Sequence, residues 1–257
     1  MPRVTSADGT PIAYDRLGDG PPVVIVGGIV GDRSQQAPVA ELLATQFTVF
    51  NYDRRGHGES GFTEPYSAQR EAEDLAAVIE EAGGSAAVYA TSGCTVIALQ
   101  AIENGARVTK LALWEPPFVV GDSRPPVVAD YRQQLESLLA EDRRGDMVAL
   151  FLTAAAGIPA PFVDQLRQSP YWAAQEAFAH TLIYDAMMMG DYGIPATASS
   201  ANVPALVLDG ATTPWLTAGA DGVAEALPNA QRRSLPGQQH NVEPDAIAPA
   251  LAEFFAA

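Results

Sequence analysis

A serine set where an apolar strand gives way to an apolar helix is the residue of this chain best suited to covalent chemistry. In Val88-Tyr89-Ala90-Thr91-Ser92-Gly93-Cys94-Thr95-Val96-Ile97-Ala98 the break falls at Ser92. A turn this sharp crowds its neighbours, so small residues are required two before and two after the serine, and Ala90 and Cys94 stand there. Such a turn lifts the hydroxyl clear of the backbone and puts it near a helix N-terminus, whose unpaired N–H groups favour a developing negative charge. The competing reading of Ser92 is an ordinary helix N-cap. A serine hydroxyl is a poor nucleophile at neutral pH until an imidazole takes its proton. The chain offers His57, His180 and His240 for that task.

The elements that must position these groups can be read from the apolar runs. Residues 2–17 read as two short antiparallel strands around Ala7-Asp8-Gly9-Thr10, with Asp-Gly as a two-residue hairpin turn. Val23 to Val26, Phe47 to Tyr52, Ala86 to Ala90 and Lys110 to Trp114 are too short for helices and rich in β-branched residues, as buried strands are. Ala205 to Leu208 and Gln231 to Leu235 add two more. Between them, Ser67 to Ala82 keeps Leu75, Val78, Ile79 and Ala82 on one helical face and stops at Gly83-Gly84, and Ile247 to Phe255 reads as a closing helix. Strands alternating with helices imply a mostly parallel central sheet flanked by helices. One long segment, about Pro117 to Asn202, carries helical stretches at Val127 to Ala140 and Tyr171 to Met189 and no strand pattern; it is expected to form a helical lid. Its aromatic and thioether residues are expected to pack the lid and, in part, to face a pocket.

At this point the chain resembles the α/β-hydrolase superfamily. The elbow around Ser92 is similar to G-x-S-x-G with Ala90 and Cys94 in place of both glycines, and Asp53-Arg54-Arg55-Gly56-His57-Gly58-Glu59-Ser60 is similar to the superfamily's D-x-R-G-x-G-x-S segment. The resemblance covers nearly the whole chain and weakens across the lid. It implies a single α/β-hydrolase domain over 1–257 with a lid insertion at about 117–202. It assigns the base to His240, in the loop between the last strand and the final helix, and makes His57 a loop or solvent residue. The acid usually follows the strand before the histidine strand, but that stretch reads Leu208-Asp209-Gly210-Ala211-Thr212-Thr213-Pro214, with Thr213 at the expected position. Some members, including certain haloalkane dehalogenases, take the acid from the strand next after the nucleophile strand, and Glu115 ends that strand here. Glu115 is therefore the expected acid, hydrogen-bonded to His240, with Asp209 or no carboxylate as alternatives. The resemblance places the oxyanion hole at the backbone N–H groups of Ile29 and Gly93. Trp114, Phe118, Phe151, His180, Tyr184 and Met188 are candidate substrate contacts.

With 257 residues the chain is long enough for one large domain with a substantial core. A net charge of −16 repels phosphate backbones and anionic lipid, which argues against nucleic-acid and membrane partners; the aromatic and Met-rich lid points instead to a small-molecule substrate. The N-terminal residues have no signal-peptide core and no run approaches the length of a membrane span, so a cytoplasmic location is expected. Cys94 is the sole cysteine, which rules out an internal disulfide, and no histidine pair has metal-ligand spacing, so neither a metal nor a cofactor is expected. The leading expectation is a hydrolase of the esterase or lactonase type, acting on an acyl bond of a small, largely apolar molecule through an acyl-enzyme on Ser92. Two alternatives are a lyase, isomerase or cyclase on the same fold, and a non-catalytic ligand-binding protein. A perhydrolase or cofactor-free haloperoxidase would share the same residues.

Overall fold

Alternation of side chains along the strands decides how the layers are arranged. The computed structural model describes residues 2–257. β1 (Arg3–Thr5) and β2 (Pro11–Leu17) open the chain as an antiparallel pair. β3 (Pro22–Val26), α1 (Ala37–Leu43), β4 (Thr48–Tyr52), α2 (Ala68–Glu81), β5 (Ala86–Thr91), α3 (Thr95–Glu103) and β6 (Val108–Trp114) follow. Helices α4 (Tyr131–Ala140), α5 (Arg144–Leu150), α6 (Ala160–Leu166), α7 (Trp172–Phe178) and α8 (Leu182–Met189) occupy the stretch before β7 (Ala205–Asp209). α9 (Pro214–Ala226), β8 (Ala230–Ser234) and α10 (Pro244–Ala256) complete the chain. The sheet has eight strands in the order β1-β2-β4-β3-β5-β6-β7-β8. β2 runs antiparallel to β4, and β3 to β8 run parallel to one another.

Both faces of the parallel strands are covered, which is why they read as unbroken apolar runs. Val24 and Val26 of β3 and Leu111 and Leu113 of β6 face a layer built from α2, α3, α9 and the helices between β6 and β7. Val23, Ile25, Ala112 and Trp114 face the opposite layer, built from α1 and α10. Among the described residues, no helix is long and apolar enough to cross a membrane.

Three local expectations are corrected. β1 and β2 pair from Thr5 opposite Pro11, so the connection spans 6–10 rather than two residues. The Asp8 carboxylate accepts from the Thr10 N–H (3.0 Å) and pairs with Arg55 (2.9 Å), and this local bond favours the longer turn. The first helix after β6 starts at Tyr131, not Val127, because the chain leaving Pro125-Pro126 turns once more before the helix begins. The stretch 171–189 is two helices. The Thr181 hydroxyl donates to the Phe178 carbonyl at 2.7 Å, competing with the helical ladder at a 3-10 turn.

The loop after β4 is a hydrogen-bonded unit. Asp53 accepts from the backbone N–H groups of Arg33 and Glu59, both at 2.8 Å, and the Ser60 hydroxyl donates to the Asp53 carbonyl at 2.7 Å. Arg55 is buried and grips both oxygens of Asp74 on α2 at 2.7 Å. Gly58 holds φ +50, and a Cβ there would collide with the Asp53 carboxylate. Gly58→Ala is therefore expected to lower the unfolding free energy by about 1–3 kcal/mol, read from urea denaturation midpoints at constant m-value. A variant as stable as the parent would show that the loop tolerates the strain.

Candidate active site

β5 ends at Thr91, and the next residue, Ser92, has φ +53. A non-glycine residue held in this region costs about 1–3 kcal/mol, so the surroundings must over-determine it. Ala90 and Cys94 are completely buried on either side. At Gly93 a Cβ would come within 3.0 Å of both Ile29 Cδ1 and Met189 Sδ, so the elbow is packed too closely for a larger residue. Burial pushes the Cys94 thiol up to about 12, which removes it as a competing nucleophile. Ser92 does not cap the helix; its hydroxyl lies 3.1 Å from His240 Nε2.

His240 follows β8 in an exposed loop, and β6 fixes it twice. The Trp114 indole N–H donates to the His240 carbonyl at 2.8 Å, and the Glu115 Oε2 lies 2.7 Å from His240 Nδ1. A carboxylate only accepts, so this network puts the imidazole proton on Nδ1 and turns the Nε2 lone pair toward Ser92. Glu115 is buried at φ +42, and its Oε1 accepts from the Gly210 N–H at 3.0 Å. Gly210 is needed there because a Cβ would strike the Gln238 carbonyl of the histidine loop. The arrangement can pass a proton from the hydroxyl to the imidazole while the buried carboxylate holds the ring.

Asp209, the alternative acid, faces away. It is fully buried, accepts from Thr217 Oγ1 at 2.6 Å and from the Ala211 N–H at 3.2 Å, and pairs with Arg232 at 2.9 Å. Burial alone would raise its carboxyl, but the bonds from Arg232, Ser234 and Thr217 outweigh this and hold it low. Thr213 begins α9 without a side-chain cap bond. On the other side of Ser92, the turn after β3 presents Gly28 at φ +89 and Val30 at φ +56, and among the described residues the Ile29 N–H has no protein acceptor. Among the described residues, no group of three or more His, Cys, Asp or Glu side chains is placed to hold a metal ion.

A family model described as the alpha/beta hydrolase family matches residues 23–250. The chain belongs to that family. The crystal structure of an alpha/beta hydrolase from Sphaerobacter thermophilus is 51% identical, covers 99% of this chain and 100% of its own, and superposes with a TM-score of 0.95. A thermophilic esterase from Thermogutta terrifontis, solved with malate bound, is 20% identical with a TM-score of 0.75, covering 99% of this chain and 97% of that one. An uncharacterized hydrolase of Bacillus subtilis, YraK, is 34% identical over 95 residues; that match spans 35% of this chain and 35% of the relative.

Ser92, Gly93, Ile29, Glu115 and His240 are gathered at the carboxyl ends of β3, β5 and β6. The expected substrate contacts are placed otherwise. Trp114 is not available to a substrate: alternation along β6 turns it to the α1 and α10 layer, where it holds the His240 backbone. Phe118 is wholly buried in the opposite core. Phe151 is half-buried and packs on that same core. Tyr184 is half-buried and stacks on Phe62 and Tyr66 at 4.8 and 4.7 Å, with His180 edge-on to it at 6.3 Å. Met188 reaches the site, its Cε lying 3.6 Å from where a Gly93 Cβ would be, with Met189 beside it. Gly210, Arg54 and Asp185 are not foreseen from sequence, and Met189 only as one of the lid's thioethers. The one available signal was Asp185, a single carboxylate in the otherwise apolar Leu182 to Met189.

His57 is not a solvent residue. It is buried, its Nδ1 lies 3.0 Å from the Arg55 carbonyl, and it stacks on Phe178 at 6.0 Å. Burial, reinforced by the Arg54 charge, lowers it from 6.5 to about 4. The neutral ring is the folded form. Its contribution to stability is full above 6.5 and is lost as pH falls through about 4. A proton-carbon NMR titration should accordingly show one imidazole, removed by His57→Phe, with its midpoint near 4. A midpoint at the ordinary value would contradict the burial argument.

Proposed function

We propose that this chain is a serine hydrolase that cleaves an ester, lactone or related acyl bond of a small, largely apolar molecule. One observation carries the reading: the unbroken hydrogen-bond chain from Ser92 Oγ through His240 to Glu115, with separations of 3.1 and 2.7 Å. In this mechanism Ser92 Oγ attacks the carbonyl carbon as His240 Nε2 takes its proton. The carbonyl oxygen gains negative charge between the Ile29 and Gly93 N–H groups. Collapse expels the alcohol, protonated by His240, and leaves an acyl-Ser92 ester. Water then attacks that ester by the same route and releases the acid. Glu115 holds the ring in the required tautomer and stabilises the imidazolium.

The esterase names carried by structural neighbours from Thermogutta terrifontis and Exiguobacterium antarcticum agree with this chemistry, although at 20% and 18% identity they speak for the fold. Ile29, Met188 and Met189 surround Gly93 with apolar surface, which supports a largely apolar acyl group. The lyase, isomerase or cyclase reading rests on the missing acid at Thr213 and on the altered elbow, with Ala90 and Cys94 in place of glycines; the Glu115 bond to His240 speaks against the first of these. Perhydrolase activity would use the same residues with peroxide in place of water.

A fluorophosphonate should label the protein once, at Ser92, by intact mass and peptide mapping, and Ser92→Ala and His240→Ala should fold normally and lose both labelling and turnover of an activated ester. Comparable turnover by either variant would remove the reading. Glu115→Gln keeps the shape but donates where the histidine must donate, so kcat should fall about 10⁴-fold. A loss below about tenfold would show that Glu115 does not orient the base.

A further inference from the structure

The turn that carries Ile29 has positive φ on both sides, at Gly28 (φ +89), where glycine adopts it freely, and at Val30 (φ +56), where it is strained. A β-branched residue in the left-handed region is an outlier that only outside contacts sustain. Two side chains donate to the carbonyls of this turn: Arg54 Nη1 to Gly28 at 3.1 Å, and Gln35 Nε2 to Val30 at 3.5 Å. The second is at the limit of hydrogen-bond geometry. Arg54 is therefore the principal tether of the segment that aims the Ile29 N–H.

Arg54 is itself completely buried and fully engaged. Its Nε and Nη2 meet the two oxygens of Glu71 on α2 at 2.9 and 2.5 Å, and Glu71 also accepts from the Tyr66 hydroxyl at 3.0 Å. Nη1 is shared between the Gly28 carbonyl and Asp185 Oδ1, the latter at 2.8 Å. Asp185 sits on α8, one turn before Met188 and Met189, whose thioethers lie against Gly93. A single guanidinium thus joins α2, α8 and the turn after β3. The two carboxylates differ. Burial opposes ionisation of both, but Arg54 holds Glu71 low, whereas Asp185 stays raised at about 6 and its Oδ2 has no partner among the described residues. Glu71 is the permanent counter-ion, and Asp185 is the weaker partner that aims the shared nitrogen.

We propose that Arg54 is a positioning residue for the oxyanion hole: its Nη1 fixes the Gly28 carbonyl and with it the Ile29 N–H, and Asp185 of α8 sets the direction of that nitrogen. α8 and the oxyanion turn are thereby held as one unit. The proposal rests on the hydrolase reading above for its catalytic meaning. Only an arginine can serve, because the planar fork reaches Glu71, Asp185 and Gly28 at once, while an ammonium keeps the charge without that geometry.

Arg54→Lys is the test. In a folded variant, kcat for an activated ester should fall about 10- to 100-fold with KM within about threefold, since only the transition state uses the displaced donor. Affinity for a phenylboronic acid, which places an oxygen in the same hole, should fall in parallel. Amide hydrogen exchange at 28–31 should accelerate. Asp185→Asn retains an acceptor without the charge, so the same quantities should shift in the same direction by about 3- to 10-fold. Unchanged kcat, boronate affinity and exchange in Arg54→Lys would overturn the proposal, as would kcat and KM worsening together with a lowered Tm, the mark of general packing. If Arg54→Lys does not fold, Asp185→Asn decides, and wild-type kcat and exchange there overturn it. If the wild-type protein turns over no ester, the hydrolase reading fails by itself, while the exchange data still judge the clamp.

Discussion

Parallel pairing of β5 with β6, with Thr91 opposite Trp114, is the constraint from which the site follows. Trp114 is in turn opposite Leu208 of β7, so these neighbouring strands end in one row. The chain leaves the sheet at Ser92 on β5 and at Glu115 on β6, each bent sharply at positive φ. The Ser92 hydroxyl and the Glu115 carboxylate therefore stand side by side without either strand being lengthened. A slip of one residue between β5 and β6 would exchange the two faces of β6 and turn Trp114 and Glu115 away from the histidine loop.

Strain gathers at the same edge. Val30, Ser92 and Glu115 are non-glycine residues in the left-handed region, and each costs about 1–3 kcal/mol. Polar groups hold two of them. Glu115 is held by Gly210 and His240, the turn through Val30 by Arg54, and the loop after β4 by Asp53, Arg55 and Asp74. Buried charges stabilise only when every partner is present. The Arg54–Glu71 and Arg55–Asp74 pairs meet that condition with two contacts each, which suits them to fixing geometry.

The sheet was legible because its strands are buried on both faces and therefore read as short, unbroken apolar runs. The helix after β4 was legible from the apolar face of Leu75, Val78, Ile79 and Ala82 and from the glycines that end it; the Ser67 hydroxyl, which accepts from the Arg70 N–H at 3.4 Å, adds a cap. Ser92 and His240 were legible from chemistry and chain position together. The phase of β6 was harder: Leu111 and Leu113 alternate with Ala112 and Trp114, but nothing in the run says which set meets the insertion, and Trp114 was expected in the pocket. Contacts between distant segments carry no period at all. Arg54 and Asp185 are 131 residues apart, and only the oddity of a carboxylate in an apolar helix hinted that a buried cation was waiting. Helix continuity through 171–189 is interrupted by a 3-10 turn at Ala179–Thr181, where the Thr181 hydroxyl bonds the Phe178 carbonyl, a local feature that apolar periodicity does not register.

Strand phase decides which carboxylate meets His240. In β7, Ala205 and Val207 face the α9 layer and Leu206 and Leu208 face the other, so Asp209 falls in phase with α9. There it meets Thr217 and Arg232 and welds β7 to its neighbours, out of reach of the base. Glu115 ends the adjacent strand one position past Trp114, and its longer side chain spans the gap to His240 while the Gly210 N–H steadies the oxygen that His240 leaves free. Trp114 and Glu115 are consecutive, yet one binds the backbone of His240 and the other its ring. A single strand end thus fixes both the position and the orientation of His240, and the turn after β7 is left to contribute only the Gly210 N–H.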